Sequence, residues 1–216
     1  MEIKRIIFSP FEVNTYIIYD KSNDCVIIDP ACNNKQEQKY LLKFLEDNRL
    51  KPVKLLNTHC HLDHVFGNKF VSDTFDLETE AHKEEEFNIS NVTNAARLYG
   101  IQTDAPPPIK VFIKEGDDIK FGHSELKILQ VPGHTAGSLV FVSKEDNFAV
   151  VGDVLFKGSI GRTDLPGGDY DTLISNIKTK LFNLPDDMII YPGHGGETSI
   201  GFEKRYNPFV GSEKYT

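Results

Sequence analysis

The sequence has few cysteines, no long apolar run and no dense block of basic residues. Three cysteines in 216 residues are an odd number in a chain too long to need disulfides, so we expect a reduced, cytoplasmic protein. A membrane helix needs about 20 consecutive apolar residues, and no stretch of the sequence supplies them. The N-terminus lacks the basic, apolar and small-residue order of a secretory signal. We therefore expect no membrane partner.

The charge balance is acidic. The chain has 24 Lys and Arg against 32 Asp and Glu, a net charge of −8 with neutral histidines. General nucleic-acid binding needs a positive surface, so this class of function is disfavoured. The length and the 39% hydrophobic content are those of an ordinary globular chain, and they predict one domain over residues 1–216.

Apolar spacing predicts many short strands and few helices. The predicted helices are residues 35–48, a solvated helix around Glu84, Glu85 and Glu86, residues 171–181 and a short helix within 199–206. The predicted strands are residues 16–19, 26–28, 53–56, 119–121, 125–131, 138–142, 148–151 and 188–191. The first two of these strands are expected to pair antiparallel. This order favours two packed sheets with helices outside them.

The histidines cluster in one short segment. Of seven histidines, His59, His61 and His64 lie within six residues. Side chains two apart in extended backbone face the same way, so His59 and His61 could bind one ion. Asp63 and His64 follow at a turn or helix start that could direct them elsewhere.

Three further ligand-type residues follow strand-like runs: His134 and His194 after Pro-Gly turns, and Asp153 after Gly152. Five imidazoles and two carboxylates exceed the needs of one tetrahedral ion and suit two ions with an open position. The first ion is assigned to His59, His61 and His134. The second is assigned to Asp63, His64 and His194, and Asp153 bridges the two.

Other chemistry-bearing residues receive plainer interpretations. His82 and His123 are read as ordinary histidines without a metal role, and Cys60 is predicted to be a small buried side chain. The glycine-rich segment 157–169 leaves two readings open. Arg162 and Asp164 could form an ordinary ion pair, or Arg162 could bind an anionic substrate group while Asp164 orients a ligand histidine.

The stretch Thr-His-Cys-His-Leu-Asp-His at residues 58–64 resembles the His-x-His-x-Asp-His motif of the metallo-β-lactamase-fold hydrolases. His134, Asp153 and His194 match that superfamily's remaining ligands in order and spacing. The resemblance covers nearly the whole chain. It implies an α+β fold, a four-layer αββα sandwich with the metals at one edge of the two sheets.

Residues 152–168 and 191–209 most resemble the short bacterial glyoxalase II enzymes. This resemblance implies hydrolysis of a thioester such as S-D-lactoylglutathione, a small acyl-thiol, by a metal-bridging hydroxide. It also implies two divalent ions, with zinc expected and iron or manganese compatible. Asp63 would be chiefly a ligand that could also accept a proton.

The sequence departs from the longer glyoxalase II enzymes in two places. The chain stops soon after Phe209, so most of their C-terminal helical region is missing. Their Lys-x-Tyr pair, which contacts glutathione, corresponds here to Arg162 and Asp164. These departures leave the metal ligands better supported than glutathione recognition.

Two other functions remain open. The persulfide dioxygenases share the Thr-His-Cys-His-x-Asp-His and Gly-Arg-Thr-Asp stretches and would use one iron, here held by His59, His134 and Asp153. A non-enzymatic metal-binding or redox module is the second alternative. The open coordination positions argue against it, because storage sites tend to be saturated by protein ligands.

Overall fold

The computed structural model describes residues 1–212. It divides into two compact units, one formed by Met1–Ile113 with Lys120–Glu125 and the other by Lys114–Ile119 with residues 126–212. Among the described residues, no helix is long and apolar enough to cross a membrane.

The first unit is built on a six-stranded mixed sheet. Its strands, in spatial as well as chain order, are β1 (Glu2–Phe8), β2 (Val13–Tyr19), β3 (Asp24–Ile28), β4 (Lys51–Leu56), β5 (Thr79–Ala81) and β6 (Ile109–Phe112). β1, β2 and β3 pair antiparallel, which confirms the predicted pairing of the second and third strands. β3 to β6 run parallel, so β3 and β4 end at the same edge of the sheet.

Three helices belong to this unit: α1 (Lys35–Asp47), α2 (Asn68–Phe75) and α3 (Glu86–Leu98). The predicted helix 35–48 is α1. It begins at Asn34, whose side chain accepts hydrogen bonds from the amides of Gln36 and Glu37, as an N-cap should. Its buried Leu41 and Leu45 pack in a core cluster with apolar residues of the sheet.

The second unit contains most of the other six-stranded sheet; residues 120–125, within the first two of its strands in chain order and their connection, belong to the first unit. Its strands are β7 (Asp118–Phe121), β8 (Ser124–Gln130), β9 (Leu139–Ser143), β10 (Phe148–Gly152), β13 (Ile189–Pro192) and β14 (Thr198–Ser199), in the order β14-β13-β10-β9-β8-β7. A small hairpin of β11 (Leu155–Phe156) and β12 (Ser159–Ile160) follows β10. β10 and β13 are parallel neighbours, so both also end at one edge.

Two helices cover apolar residues of this unit, α4 (Tyr170–Thr179) and α5 (Ile200–Tyr206). The predicted helix 171–181 is α4. It starts at Asp169, which caps the amide of Thr172, and it buries Leu173 and Ile177. A separate 3₁₀ turn begins at Leu181.

The acidic segment at Glu84–Glu86 was predicted to be solvated, and this is wrong for one residue. A 3₁₀ turn covers Lys83–Glu85, and α3 follows it. Glu85 is fully buried, because its carboxylate accepts hydrogen bonds from inside the protein.

Candidate metal centre

The histidine motif of the first unit begins where β4 ends. Asn57 and Thr58 leave the strand, His59 to His61 continue in non-helical backbone, and a 3₁₀ turn covers Leu62–Val65. The predicted turn at Asp63 and His64 is therefore present. The rings of His59 and His61 lie close, with centroids 4.8 Å apart.

Asp29, directly after β3, organises this motif. Its carboxylate accepts the amide of Thr58 at 2.8 Å, the hydroxyl of Thr58 at 2.6 Å and Nδ1 of His64 at 3.0 Å. Asp29 is buried, and several donors of this kind are what a buried carboxylate needs. The parallel ends of β3 and β4 bring the two segments together.

The same hydroxyl determines the orientation of a second histidine. Thr58 Oγ1 gives its hydrogen to Asp29, so it can only accept from His59, whose Nδ1 lies 3.1 Å away. Nδ1 of both His59 and His64 is then the protonated nitrogen in the neutral ring. In each ring, Nε2 carries the lone pair that a metal ion requires.

The carboxylate of Asp63 also lies close to a histidine ring. Its Oδ2 is 3.9 Å from Nε2 of His64. Ligand-type atoms of Asp29, His59 and His64 lie within 4.8 Å of one another. Asp29 faces the Nδ1 side of His64, so we assign it to orienting the ring and leave the Nε2 side to the ion.

Cys60, between the two histidines, is fully buried, as predicted. Burial, with smaller effects from Glu85 and Asp29, raises the pKa of its thiol well above the ordinary value. The thiol therefore stays protonated and is a poor metal ligand.

In the second unit, Asp153 follows β10 and His194 follows β13. His194 Nε2 lies 3.5 Å from Asp153 Oδ2, and His134 Nε2 lies 3.8 Å from the same oxygen. Both separations exceed the usual 2.7–3.2 Å of an N–H to oxygen bond. Two ligands of one tetrahedral ion with bonds of about 2.0–2.2 Å would lie roughly 3.3–3.6 Å apart. The His194–Asp153 separation lies in this range and the His134–Asp153 separation is slightly longer, so the donor set suits a metal ion better than direct hydrogen bonds.

The backbone carbonyl of Arg162, in the loop that follows Asp153, orients the ring of His134. Its Nδ1 donates to the carbonyl oxygen of Arg162 at 2.8 Å, which leaves Nε2 as the metal-type nitrogen. The turn before Arg162 is tight, because a Cβ on Gly161 would lie 1.8 Å from the carbonyl oxygen of Asp153.

Arg162 and Asp164 form a two-point ion pair. Nε and Nη2 of Arg162 each donate to one carboxylate oxygen at 2.8 Å. The hydrogen bond from Arg162 lowers the pKa of Asp164 to about 2. His134 is therefore oriented by the backbone carbonyl of Arg162 and not by the Asp164 side chain, which pairs with Arg162. A role of the two side chains in substrate binding stays a prediction.

Three residues that support the motif were missed by the sequence reasoning: Asp29, the hydroxyl of Thr58 and Glu85. Asp29 could have been found, because it follows a strand in the same way as Asp153. His82, read as an ordinary histidine, accepts the amide of Glu84 through Nδ1.

Comparisons with known proteins agree with this geometry. Residues 9–194 match the family described as the metallo-β-lactamase superfamily. The hydroxyacylglutathione hydrolase GloC of Haemophilus influenzae is 40% identical over 99% of this chain and 100% of its own length.

Two solved structures are also similar over nearly the whole chain. The B3 metallo-β-lactamase BLEG-1 has a TM-score of 0.88 and 32% identity, covering 97% of this chain and 99% of that one. TTHA1623, crystallised in a di-iron-bound form, has a TM-score of 0.85 and 33% identity, covering 96% and 100%. The predicted α+β fold class is confirmed, and the chain belongs to the metallo-β-lactamase superfamily.

Proposed function

We propose that this metallo-hydrolase cleaves the thioester bond of a small acyl-thiol, with a hydroxyacylglutathione such as S-D-lactoylglutathione as substrate. The observation that carries the proposal is the set of histidines whose Nδ1 atoms are bound by the protein, so that Nε2 is directed to a metal. The full-length similarity to a hydroxyacylglutathione hydrolase supports the thioester.

The proposed ligand set is the one that the family motif implies. His59, His61 and His134 would hold one ion, and Asp63, His64 and His194 a second, with Asp153 shared. Such ions, when bound, supply a water of lowered pKa and polarise a carbonyl. Zinc is the proposed metal. Iron is the alternative, because a similar protein was crystallised in a di-iron-bound form.

The protein's own residues have distinct tasks in this proposal. Asp29 and Thr58 hold the His59 and His64 rings in the metal-binding tautomer. The carbonyl of Arg162 does the same for His134. Asp63, on the 3₁₀ turn, would be chiefly a ligand and would also serve as a proton acceptor.

The decisive experiment is metal quantification of the purified protein followed by steady-state hydrolysis of S-D-lactoylglutathione. We expect about two zinc per chain, thioester cleavage, and loss of the cleavage after chelation with recovery on adding zinc. The matched variant is Asp153→Ala, which should retain neither ion stably. Thioester cleavage that is unaffected by chelation, or a full metal complement in Asp153→Ala, would contradict the proposal.

The persulfide dioxygenase alternative is separated by the same preparation. It requires one iron per chain, bound by His59, His134 and Asp153, and oxygen consumption on glutathione persulfide. An oxygen electrode measures this directly. Two zinc ions and no oxygen consumption would exclude it.

A reducing, cytoplasmic location is part of the proposal. Cys25, Cys32 and Cys60 are free and buried in the structure, which suits a compartment that keeps thiols reduced. Fractionation of cells that express the native gene tests this location. Recovery with the extracellular fraction would contradict it.

A further inference from the structure

Glu85 is a buried acidic side chain that the proposed chemistry does not use. It ends the 3₁₀ turn before α3 and has no exposed surface. Its neighbours Glu84 and Glu86 are exposed, as in the sequence-based prediction. Burial of a carboxylate is costly unless donors compensate it. A residue placed there at such a cost needs a specific reason.

The donors to Glu85 connect it to the histidine motif. Its Oε2 accepts the backbone amide of Cys60 at 2.8 Å and the side-chain amide of Asn88 at 2.8 Å. The amide of Cys60 belongs to the peptide that joins His59 to Cys60, in the middle of the His59–His61 segment. Its direction determines which way the two flanking histidines face, because side chains alternate along extended backbone.

The bond from Cys60 also ties two distant parts of the first unit. Glu85 lies 25 residues after Cys60, and Asn88 on α3 donates to the same carboxylate oxygen. Asp29 fixes the start of the motif at Thr58 and its end at His64. The bond to Glu85 fixes the segment between these two points.

We propose that Glu85 is a positioning residue that holds the His59–His61 segment in its metal-binding conformation before any ion arrives. The inference rests on the proposed metal centre and adds a residue outside its ligand set. Because the backbone is already ordered, metal binding need not supply the free energy to order it. Loss of such supporting contacts typically costs about 10–100-fold in metal affinity.

The test compares two substitutions of similar size, Glu85→Gln and Glu85→Met. Both described donors use the same oxygen of Glu85, so a glutamine side chain can accept both hydrogen bonds, whereas methionine can accept neither. We expect zinc affinity, measured by competition with a chromophoric chelator, to fall by about 10-fold or more in Glu85→Met. Glu85→Gln should bind zinc nearly as tightly as the unchanged protein.

Glu37 provides the matched control. Its two carboxylate oxygens accept hydrogen bonds from the backbone amides of Ser9 and Asn33 at 2.9 and 2.8 Å. Glu37, on α1, therefore also holds backbone outside its own helix through its side chain. Glu37→Met should lower the unfolding temperature of the metal-free protein and leave zinc affinity unchanged. A fall in zinc affinity as large as that of Glu85→Met would show a general effect of lost stability and overturn the inference.

The outcomes separate this inference from the proposed function. Unchanged zinc affinity in Glu85→Met, or an equal loss in Glu85→Gln, overturns the inference alone. An unchanged protein that binds no zinc overturns both. If Glu85→Met does not fold, amide hydrogen exchange at Cys60 in the metal-free unchanged protein decides. We expect the Cys60 amide to be protected from exchange without metal. Exchange at the rate of a solvent-exposed amide that makes no hydrogen bond would overturn the inference.

Discussion

Asp29 accepts a hydrogen bond from Nδ1 of His64 at 3.0 Å, although the two residues lie 35 positions apart in the chain. The bond is between two buried side chains. It requires the proton of the neutral imidazole on Nδ1, and so Nε2 is the nitrogen available to an ion. A carboxylate outside the proposed ligand set thus determines which ring nitrogen of His64 would face a metal ion.

Removal of Asp29 should therefore damage metal binding and stability together. Asp29→Ala leaves the amide of Thr58 and Nδ1 of His64 without this acceptor, and each buried donor costs about 1–3 kcal/mol. We expect zinc affinity to fall by about 10–100-fold in a chelator competition. Urea unfolding of the metal-free protein measures the lost stability.

An exposed aspartate serves as the control for this variant. Asp47 pairs with Lys43 one helical turn away, at a largely exposed position. Exposed pairs of this kind contribute about 0–1 kcal/mol, so Asp47→Ala should change neither quantity appreciably. If Asp29→Ala retained zinc as tightly as Asp47→Ala, the orienting role of Asp29 would be rejected.

Most of the sheet strands could be predicted from the sequence, because they depend on local apolar spacing. The metal-ligand assignment, which also rests on local spacing, stays a prediction. The helices α2 and α3 were not delimited, since the segment around residues 68–98 has no simple apolar period. Asp29 was missed because a single aspartate after a strand is common in turns. Glu85 was predicted to be exposed because three adjacent glutamates usually face solvent, and its partner Cys60 is 25 residues away. Long-range hydrogen bonds of this kind leave no local pattern.

Substitution of Gly161 tests the support of His134 in the second unit. A Cβ at this position would lie 1.8 Å from the carbonyl oxygen of Asp153 and 3.0 Å from Nδ1 of His134, so the backbone must shift. We expect Gly161→Ala to weaken zinc binding by about 10-fold or more, because the adjacent carbonyl that orients His134 moves. Isothermal titration calorimetry, with zinc added to the metal-free protein, measures this affinity.

Gly196 gives the comparison for this substitution. It lies two residues after His194, and a Cβ there would meet no atom within 4 Å. Gly196→Ala should therefore bind zinc as the unchanged protein does. Equal affinities for Gly161→Ala and Gly196→Ala would mean that the turn at Gly161 can relax without disturbing His134.

The three thiols should be unreactive in the folded protein. Burial raises the pKa of Cys25 and of Cys32 to about 12, and it raises the pKa of Cys60 well above the ordinary value. At pH 8 all three are protonated, and the thiolate is the reactive form. A chromogenic disulfide reagent should label no cysteine in the native state and three after unfolding in urea. Rapid labelling of one cysteine in native protein would show that its burial is not maintained in solution.

Asp20 should make a pH-dependent contribution to stability. Burial alone would raise its pKa, but hydrogen bonds from Ser22, His123 and Ser124 lower it well below the usual range. The distances are 2.8 Å to the amide of Ser22, 2.7 Å to that of His123 and 2.8 Å to the hydroxyl of Ser124. A lowered folded-state pKa adds stability that is fully present above the unfolded pKa of about 3.9 and is lost as the pH falls from there through the folded-state pKa. In urea unfolding of the metal-free protein, Asp20→Ala should cost about 1–3 kcal/mol at pH 6 and clearly less at pH 3.

The exposed Asp73 pairs only across one helical turn with Lys69, so Asp73→Ala should cost little at pH 6. A cost for Asp20→Ala that is the same at pH 3 and pH 6 would show that the ionised carboxylate is not what holds the 122–124 turn.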